Sequence, residues 1–361
     1  MPLSPIAVIT GSRADFGLLL PVMRAIDAHP NLQLQTIAAG THLISNSLAD
    51  LKAAGFPHDA KVPLQRRNKT GRTADALALA AGVSGFTHAF ATLQPQLVLA
   101  LGDRIEPFAA AAAATALGLR FAHLHGGDRA EGVADEALRH ATSKLAHLHF
   151  PATTQSRRRL IRMGENPALI FNHGSPAIDA LRGVTPANNA PAVLVLHHPM
   201  GLDDRTEYQH TTNLLKATAK HDRIVLMPNH DPGRPAVLRA IQDHADPAEV
   251  RDHLPRPEFL ALLAGAKALV GNSSAGLIEA AALKTPAVNL GHRQRGRQRP
   301  ASVIDCPHPT QTAIRQAIQQ ALVMKTFRRH PYGNGTTGTR IADTLAALSP
   351  ADVPIAKHNT Y

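Results

Sequence analysis

Short apolar runs alternate with longer segments of helical spacing along the chain. In the first 180 residues the runs are nearly continuous, as expected for strands that are buried on both faces. Five strands are predicted, at "IAVIT" (6–10), "LQLQTIAAG" (32–40), "LVLALG" (97–102), "RFAHLHG" (120–126) and "HLHFPAT" (147–153). The apolar spacing between them predicts helices at 17–28, 43–54, 73–92, 106–117 and 134–146. This rhythm predicts a parallel α/β sheet with both faces covered.

A break in composition at "RGVTPANNAP" (182–191) is typical of an interdomain linker. Beyond it the rhythm resumes, with strands predicted at "AVLVLHH" (192–198), "DRIVLMP" (222–228), "KALVG" (267–271) and "PAVNL" (286–290). We therefore predict two doubly wound, Rossmann-like α/β domains, residues 1–182 and 192–336. Two such halves usually enclose a ligand crevice at the carboxyl ends of their strands. The last dozen residues are expected to be frayed.

Composition narrows the class of protein. A length of 361 residues allows two domains with cores of ordinary size, and the hydrophobic fraction of 44% is that of a soluble globular protein. The chain has no run of about 18 uninterrupted apolar residues, so no transmembrane helix is expected. The N-terminus lacks a charged region typical of a signal peptide. Cys306 is the single cysteine, which excludes an intramolecular disulfide and favours the cytoplasm.

The formal net charge of +11 leaves two kinds of partner open. A nucleic-acid binder would use such charge, but the basic residues are spread along the chain. With no Trp and three Tyr, aromatic platforms for stacking bases are also scarce. A basic cleft for a small polyanion, such as a nucleotide diphosphate, fits equally well. Polyanion binding therefore stays a rival function, and it predicts steeply salt-sensitive affinity for oligonucleotides.

Two candidate sites follow strands of the first half. In "IAVITGSRADFGLLLP" (6–21), a tight turn and a helix start form a common phosphate-binding geometry, with Arg13 placed to take a phosphate. The alternative is that Arg13 and Asp15 form only a helix cap and a surface pair. In "LALGDRIEPF" (99–108), Asp103 lies at the carboxyl end of a strand, where open α/β sheets keep their sites. Its alternative role is to cap the helix predicted at 106–117.

The densest group of ionisable residues is "HLHGGDRAEGVADEALRHATSKLAHLHF" (123–150). His123 and His125 share one strand face, and Gly126 and Gly127 are expected to let the backbone approach a ligand. Four acids follow within nine residues: Asp128, Glu131, Asp135 and Glu136. Carboxylates that face each other across a cleft can serve as base and acid. A metal site is disfavoured because the acids lie on several helix faces, and an ordinary acidic helix N-terminus remains the other alternative.

The second half offers a further set of polar turns. In "VLHHPMG" (195–201) one of His197 and His198 must point into the packing, so one of them is a candidate. "MPNHDPG" (227–233) closes a strand and is consistent with a simple turn. In "GNSSAGLIEA" (271–280) the two serines and a helix start could hold a phosphate, and the spacing to Glu279 does not fit a capping box. "GHRQRGRQRP" (291–300) carries four arginines in seven residues.

Taken together, these segments closely resemble the hydrolysing UDP-N-acetylglucosamine 2-epimerases, the sialic-acid-pathway branch of the sugar-nucleotide 2-epimerases. The resemblance covers nearly the whole chain through "GSRADFGLLLP", "GDRIE", "HLHGGD", "RMGENP", "PNHDPG", "GNSSAGLIEA", "HRQRGR" and "PYGNG", in that order. It implies a two-domain fold of GT-B type, in which a C-terminal helix at about 337–350 packs back on the first domain. It also implies that UDP-N-acetylglucosamine and water give N-acetylmannosamine and UDP, by elimination and hydration of a glycal-like intermediate, within a nonulosonic acid pathway. That scheme requires no metal and no nicotinamide cofactor.

The resemblance also implies roles for individual residues. Acid–base catalysis falls to the carboxylates Asp103, Asp128, Asp135 and Glu136, with Glu131 as a substitute for Asp128. Substrate binding falls to Arg13, His198, Asn229, Ser273, Ser274, Glu279, Arg293 and Arg297. Within that set, Glu279 binds the ribose, and the serines, Arg13 and His198 hold the diphosphate.

One departure from the family pattern concerns Asp128, where the family usually has Glu after the two glycines. The shorter side chain withdraws the carboxylate by about 1 Å, which could lower the rate about a hundredfold. It could instead mark another sugar nucleotide, such as a diacetamido-trideoxy or a GDP-linked sugar. A retaining GT-B-type glycosyltransferase is a further alternative, disfavoured by four closely spaced carboxylates. We expect a homo-oligomer, a dimer or tetramer, whose partner is the nucleotide sugar rather than a nucleic acid or a membrane.

Overall fold

The computed structural model describes residues 4–45, 47–67, 71–129, 136–229, 231–252, 254–325, 327 and 329–360. The chain divides into two compact units. The N-terminal unit comprises Met1–Asp128, Ala134–Ala180 and Tyr332–Tyr361. The C-terminal unit comprises Arg129–Val133 and Leu181–Pro331.

In the N-terminal unit, the described residues form a six-stranded parallel sheet in the spatial order β3-β2-β1-β4-β5-β6. Its strands are β1 (Ser4–Thr10), β2 (Leu32–Ala39), β3 (Ala60–Val62), β4 (Leu97–Leu101), β5 (Arg120–Leu124) and β6 (Leu148–Phe150). Alternate residues of β1 enter two different hydrophobic clusters, Ile6 and Val8 on one face and Ala7 and Ile9 on the other. Burial on both faces explains why the strands are continuous apolar runs.

Helices cover both faces of this sheet. They are α1 (Arg13–Asp27), α2 (Leu48–Ala53), α3 (Arg72–Leu93), α4 (Ile105–Ala116), α5 (Glu136–Leu145), α6 (Thr154–Arg162) and α7 (Pro176–Asp179). Phe16 and Leu19 of α1 lie in one cluster, and Phe86 of α3 and Ala109 of α4 lie in the other. All strands run parallel, so the loops that follow β1, β4 and β5 share one edge of the sheet, and the candidate residues lie on those loops.

The C-terminal unit repeats this plan. Its described residues form a second six-stranded parallel sheet in the order β12-β11-β10-β7-β8-β9. The strands are β7 (Val193–Leu196), β8 (Arg223–Leu226), β9 (Val250–Arg251), β10 (Ala268–Gly271), β11 (Ala287–Leu290) and β12 (Val303–Cys306). The helices are α8 (Asp204–Thr218), α9 (Arg234–His244), α10 (Arg256–Gly265), α11 (Glu279–Ala282) and α12 (Gln311–Leu322).

The last helix, α13 (Thr337–Ala347), belongs to the N-terminal unit. The Asp179 carboxylate caps it by accepting hydrogen bonds from the backbone N–H groups of Thr337 (3.0 Å) and Gly338 (2.6 Å). The tail beyond α13 is docked rather than frayed, contrary to expectation. Val353 is buried in the core, and Lys357 donates to the carbonyl of Lys144 at 2.6 Å. Tertiary contacts override the polar composition of this segment.

The predicted α/β class with two doubly wound sheets is confirmed, and each of the nine predicted strands is present. The prediction missed β3, β9 and β12, which lie at the edges of the two sheets. These strands are two to four residues long, and only pairing with a neighbouring strand marks them as strands. The helix predicted at 43–54 is instead a short 3-10 turn, Gly40–Leu43, followed by α2.

Among the described residues, one helix, α3, is long and apolar enough to cross a membrane by length and composition. Polar residues such as Ser84 and His88 interrupt its apolar run, so the helix contains no long uninterrupted apolar segment. Phe86 and Phe90 of α3 are buried in the core of the N-terminal unit, whereas Leu77 is 67% exposed. A single helix of this kind is weak evidence for membrane insertion, because core helices of soluble proteins pass the same test.

Candidate functional site

Asp103 lies in the loop after β4, at the carboxyl edge of the N-terminal sheet. The alternative that it caps α4 is wrong, because the N-cap position is Arg104, whose side chain makes no capping bond. Asp103 instead forms an ion pair with Arg139 on α5. The aspartate side chain is 26% exposed and that of Arg139 only 2%, so the carboxylate is held from behind by a buried cation while one side of it is open.

Arg139 connects three segments of the N-terminal unit. Besides Asp103, its guanidinium donates to Glu136 Oε2 at 2.9 Å and to the backbone carbonyl of Asp128 at 3.2 Å. A planar guanidinium with several N–H donors suits such convergent contacts. Arg139 was not selected from the sequence, and the available signal was an arginine in the first turn of a helix that begins with an acid.

Glu136, the first residue of α5, is the second carboxylate on Arg139. Its Oε1 lies 3.1 Å from Nε2 of His140, one helical turn further along. Residues four positions apart share one helix face, and here that face holds a direct contact between Glu136 and His140. The Glu136 side chain is 23% exposed, similar to Asp103. Asp103 and Glu136 are thus two partly exposed carboxylates that share one guanidinium. The other two acids of the predicted cluster, Glu131 and Asp135, lie outside the described residues.

Asp128 is held inside the unit, with 4% of its surface exposed. Its Oδ1 accepts a hydrogen bond of 2.6 Å from Ser156 Oγ on α6, and its Oδ2 lies 3.5 Å from His125 Nδ1. The two glycines before it serve internal packing. A Cβ at Gly127, where φ is +74°, would lie 2.4 Å from the carbonyl oxygen of Ser156. The loop thus needs glycine to lie against α6, whereas the sequence argument attributed it to approach of a ligand.

His123 and His125 have different surroundings, because β5 ends at Leu124 between them. His123 Nε2 donates to the carbonyl of Gly102 at 2.7 Å, so Nδ1 accepts from Ser143 at 3.0 Å. Burial lowers the pKa of His123 to about 3, so the ring is neutral. It tethers the turn that carries Asp103. His125 lies beyond the strand, in the left-handed region at φ +61°.

The turn after β1 uses its own acid to satisfy its backbone. Asp15 accepts hydrogen bonds of 2.8 Å from the N–H groups of Gly11 and Ser12, and Ser12 caps α1 in return. Arg13 pairs with Asp50 of α2 at 2.5 Å, and both side chains are 43% exposed. The cap-and-surface-pair alternative therefore describes this turn. A phosphate on Arg13 would have to compete with Asp50.

Glu106 was not singled out from sequence, yet it lies directly under this turn with 1% of its surface exposed. A Cβ on Gly11 would meet its Cγ at 2.9 Å. Its Oε1 accepts a hydrogen bond of 2.8 Å from Gln65. An acid that opens the alanine-rich helix α4 was the available signal.

In the C-terminal unit, His198 is locked by two asparagines. Asn272 Oδ1 accepts from the His198 N–H and Asn272 Nδ2 donates to the His198 carbonyl, both at 2.7 Å. The Asn229 N–H donates to His198 Nδ1 at 3.2 Å, so the remaining proton of the neutral ring is on Nε2. Burial holds the pKa of His198 well below its usual value. His198 can therefore present a neutral N–H donor, whereas His197 is buried in the packing.

Asp231 joins two of the predicted loops in the C-terminal unit. Its Oδ2 accepts hydrogen bonds from Asn229 Nδ2 at 2.7 Å and from Arg293 at 3.1 Å. The "MPNHDPG" turn and the arginine-rich loop after β11 thus meet, next to His198. Arg297, on the same loop, has a buried Nε without a hydrogen-bond partner among the described residues.

The serine segment leads into two short helical turns rather than into the start of one continuous helix. Ser273 caps a 3-10 turn, Ser274–Gly276, by accepting from the Ala275 N–H at 3.3 Å. The following α11 has only four residues. Glu279, its first residue, is buried and pairs with Arg256 at 3.1 Å. A ribose hydroxyl on Glu279 would share that carboxylate with Arg256.

Comparison with known proteins gives a consistent result. The family model described as UDP-N-acetylglucosamine 2-epimerase matches residues 24–346. The chain is 35% identical to a hydrolysing UDP-N,N'-diacetylbacillosamine 2-epimerase of Legionella pneumophila, over 99% of both chains. It is 30% identical to a UDP-N-acetylglucosamine 2-epimerase of Neisseria meningitidis, over 94% of both. The crystal structure of a UDP-GlcNAc 2-epimerase from Neisseria meningitidis bound to UDP-GlcNAc has a TM-score of 0.81 at 19% identity, over 94% of this chain and 99% of that chain, which shows a shared fold.

Proposed function

This chain belongs to the UDP-N-acetylglucosamine 2-epimerase family, and from that premise we propose that it is a hydrolysing 2-epimerase of a UDP-linked 2-acetamido sugar. In the proposed reaction a base removes the C2 proton while the C1–O bond to UDP breaks. Water then adds to the resulting double bond, its hydroxyl at C1 and its proton on the opposite face of C2. The products are UDP and the free 2-epimer, and the scheme itself calls for no metal or nicotinamide.

The observation that carries this proposal is the pair of partly exposed carboxylates, Asp103 and Glu136, that Arg139 holds. Removing a weakly acidic C2 proton requires a fixed base, and protonating C2 from the other face requires a second group. Asp103 and Glu136 are held on one guanidinium, with N–O contacts that include 2.9 Å to Glu136. We assign the two proton transfers to this pair, together with Asp128 and with Asp135 or Glu131. A glycosyltransferase would have no use for so many carboxylates.

We assign nucleotide binding to the C-terminal unit. The Asn229 turn contacts His198 and is joined to Arg293 through Asp231, so the neutral His198 N–H and the Arg293 guanidinium can both supply donors for a diphosphate. Ser273, Ser274, Arg297 and Glu279 complete the proposed set within this unit, and the phosphate-binding role of Arg13, in the N-terminal unit, stays a prediction from the sequence. Donors aimed at the departing diphosphate stabilise charge as it develops, which is worth several kcal/mol in comparable sites.

For the sugar, we place UDP-N,N'-diacetylbacillosamine first and UDP-N-acetylglucosamine second. This order is supported by sequence identity. The chain is 35% identical to the relative of Legionella pneumophila and 30% identical to the relative of Neisseria meningitidis. Asp128, in place of the Glu expected from the family pattern, is consistent with a changed sugar site. We further propose a cytoplasmic location, which the single cysteine supports, and the homo-oligomer stays an expectation from the family resemblance.

The test is incubation of the purified protein with each nucleotide sugar in heavy water. We expect release of UDP and one deuterium at C2 of the free 2-epimer, with the larger kcat/KM on the diacetylated sugar. Asp103→Asn should lose turnover by about a hundredfold or more while it still binds UDP. UDP-linked epimer without UDP release would indicate a non-hydrolysing enzyme. No turnover of either sugar would reject the proposed substrates.

A further inference from the structure

His125 has a backbone conformation that is unusual for a residue other than glycine. Its φ of +61° lies in the left-handed region, at the point where β5 gives way to the two glycines. Non-glycine residues in this region carry a conformational cost of about 1 kcal/mol. Glycine would adopt it freely, so the imidazole must contribute something to offset that cost.

The imidazole lies between a carboxylate and a hydroxyl group. His125 Nδ1 is 3.5 Å from Asp128 Oδ2, and Nε2 is 3.0 Å from Ser175 Oγ. A carboxylate can only accept, so Nδ1 carries the proton and Nε2 accepts from the Ser175 hydroxyl. The Ser175 Oγ in turn accepts from the Ala177 N–H at 3.3 Å, which leaves its own proton for His125. The hydrogen-bond directions along this chain of groups are thus mutually consistent.

The order Asp128, His125, Ser175 resembles the triad of a serine hydrolase, but the burial of the groups argues against a nucleophilic serine. Ser175 is fully buried, at 0% exposure, and it caps α7. No substrate carbonyl could reach its Oγ. Within this hydrogen-bonded series, Asp128 is the residue next to the candidate site. Its backbone carbonyl is bound by Arg139, which also holds Asp103 and Glu136.

We propose that His125 is a positioning residue that makes Asp128 and the imidazole one proton-handling unit of the 2-epimerase site. Ser175 fixes the ring, the ring fixes the orientation of Asp128, and the Nδ1 proton accompanies the carboxylate. Within this unit two side chains, His125 and Ser156, fix the orientation of the Asp128 carboxylate. The inference rests on the proposed function for its role in turnover, and on the structure alone for the tautomer of His125.

The kinetic test compares His125→Gln, Asp128→Asn and the double variant, with the preferred sugar nucleotide. Each single change should lower kcat by about ten- to a hundredfold with KM changed less than about threefold. Residues that act as a unit are not additive, so the double variant should be no slower than the slower single variant. Multiplied effects, or a His125→Gln enzyme of normal kcat, would overturn the proposal.

His147→Gln is the matched control. His147 is also buried and makes two hydrogen bonds, with the Phe121 N–H and the Ile355 carbonyl, but it lies at the amino end of β6. Its replacement should lower the melting temperature and leave kcat unchanged. An equal loss of kcat in His147→Gln would show that any buried histidine of this unit has the same effect, which contradicts a specific role of His125.

The second test needs no turnover. Nitrogen-15 NMR of the histidine rings should show His125 as the Nδ1–H tautomer, and Asp128→Asn should alter its nitrogen shifts. An Nε2–H tautomer in the wild-type protein would overturn the proposal whatever the activity. A wild-type protein that shows the Nδ1–H tautomer but turns over no sugar nucleotide would refute the proposed function and leave the Asp128–His125 unit supported.

Discussion

Two clusters of charged side chains lie in the N-terminal unit, and α5 contributes to both. Around Arg139, one cation serves two carboxylates, Asp103 and Glu136, whose side chains are 26% and 23% exposed. Around Glu165, one carboxylate with 1% exposure is surrounded by the Nζ atoms of Lys144 and Lys357, at 2.8 and 2.6 Å, and by His149 Nε2, at 3.0 Å. The charge ratio and the exposure are therefore reversed between the two clusters.

The difference distinguishes a candidate catalytic site, around Arg139, from a structural ion-pair cluster, around Glu165. Burial by itself raises the pKa of Glu165, but hydrogen bonds from His149, Lys144 and Lys357 outweigh it and lower the pKa to about 2. A carboxylate so surrounded by donors cannot exchange protons near neutral pH. It joins the end of α5 to the docked tail through Lys357. Asp103 and Glu136 share one cation and remain partly open, which leaves oxygen atoms accessible for proton transfer.

The largest effect is expected from Arg139→Met. Removing the buried cation takes from Asp103 and Glu136 the guanidinium that they share, so we expect a loss of about 3–5 kcal/mol in unfolding free energy. The kcat should also fall about a hundredfold or more, because both carboxylates lose their anchor. Urea denaturation and steady-state kinetics measure the two losses.

Arg223→Met provides the matched control for Arg139→Met. Arg223 is a buried arginine of the C-terminal unit, paired with Glu249 at 2.8 Å. Its replacement should cost stability while the kcat of the folded enzyme stays normal. Normal kcat in Arg139→Met as well would mean that the Arg139 cluster is only structural.

Glu165→Gln should affect stability alone. The change leaves Lys144 and Lys357 without their anion, and we expect a loss of about 3 kcal/mol in unfolding free energy. At 25 °C the folded variant should keep its kcat, since among the described residues no candidate catalytic group contacts Glu165. Adding Lys357→Met removes the surplus charge and should recover part of the stability. A large fall in kcat with full retention of stability would reverse the two roles.

Acid titration of the wild-type protein should show the contribution of the Glu165 ion pairs to stability. The folded-state pKa of Glu165, about 2, lies below its ordinary value of 4.5, so its stabilisation is fully present above pH 4.5 and disappears as the pH falls towards 2. The difference corresponds to a contribution on the order of 3 kcal/mol. Thermal melts between pH 2 and 6 should therefore fall more steeply for the wild type than for Glu165→Gln. Parallel curves would contradict a lowered pKa.

The smallest effect is expected from Asp50→Ala at the exposed pair with Arg13. A pair that is 43% exposed on both sides should contribute less than about 1 kcal/mol to stability. If Arg13 binds the diphosphate, its release from Asp50 should lower the KM for the nucleotide sugar a few-fold. Asp204→Ala, which breaks another exposed pair with Arg239, is the control and should change neither quantity. An unchanged KM in Asp50→Ala would argue against Arg13 as a phosphate ligand.

The candidate site was only partly predictable. Asp103 and Glu136 were selected from sequence because an acid after a buried strand and an acid at a helix start are local patterns. Arg139 was not selected as their common partner, because Asp103 and Arg139 are 36 positions apart in the sequence and meet only when the β4 end and α5 come together. The packing role of Gly127 was missed for the same reason, since the clashing atom is a carbonyl oxygen of α6, which is distant in sequence.

The sequence by itself determined the class of fold and the strands of each sheet interior, since a strand buried on both faces must be a continuous apolar run. It also determined where polar loops follow those strands, because parallel strands all end at one edge. Tertiary structure alone decided the short edge strands β3, β9 and β12, the docking of the tail and the ion-pair partners of Asp103 and Glu165. Charge pairing depends on distances of about 3 Å between groups that are far apart in the chain, and no local pattern encodes those distances.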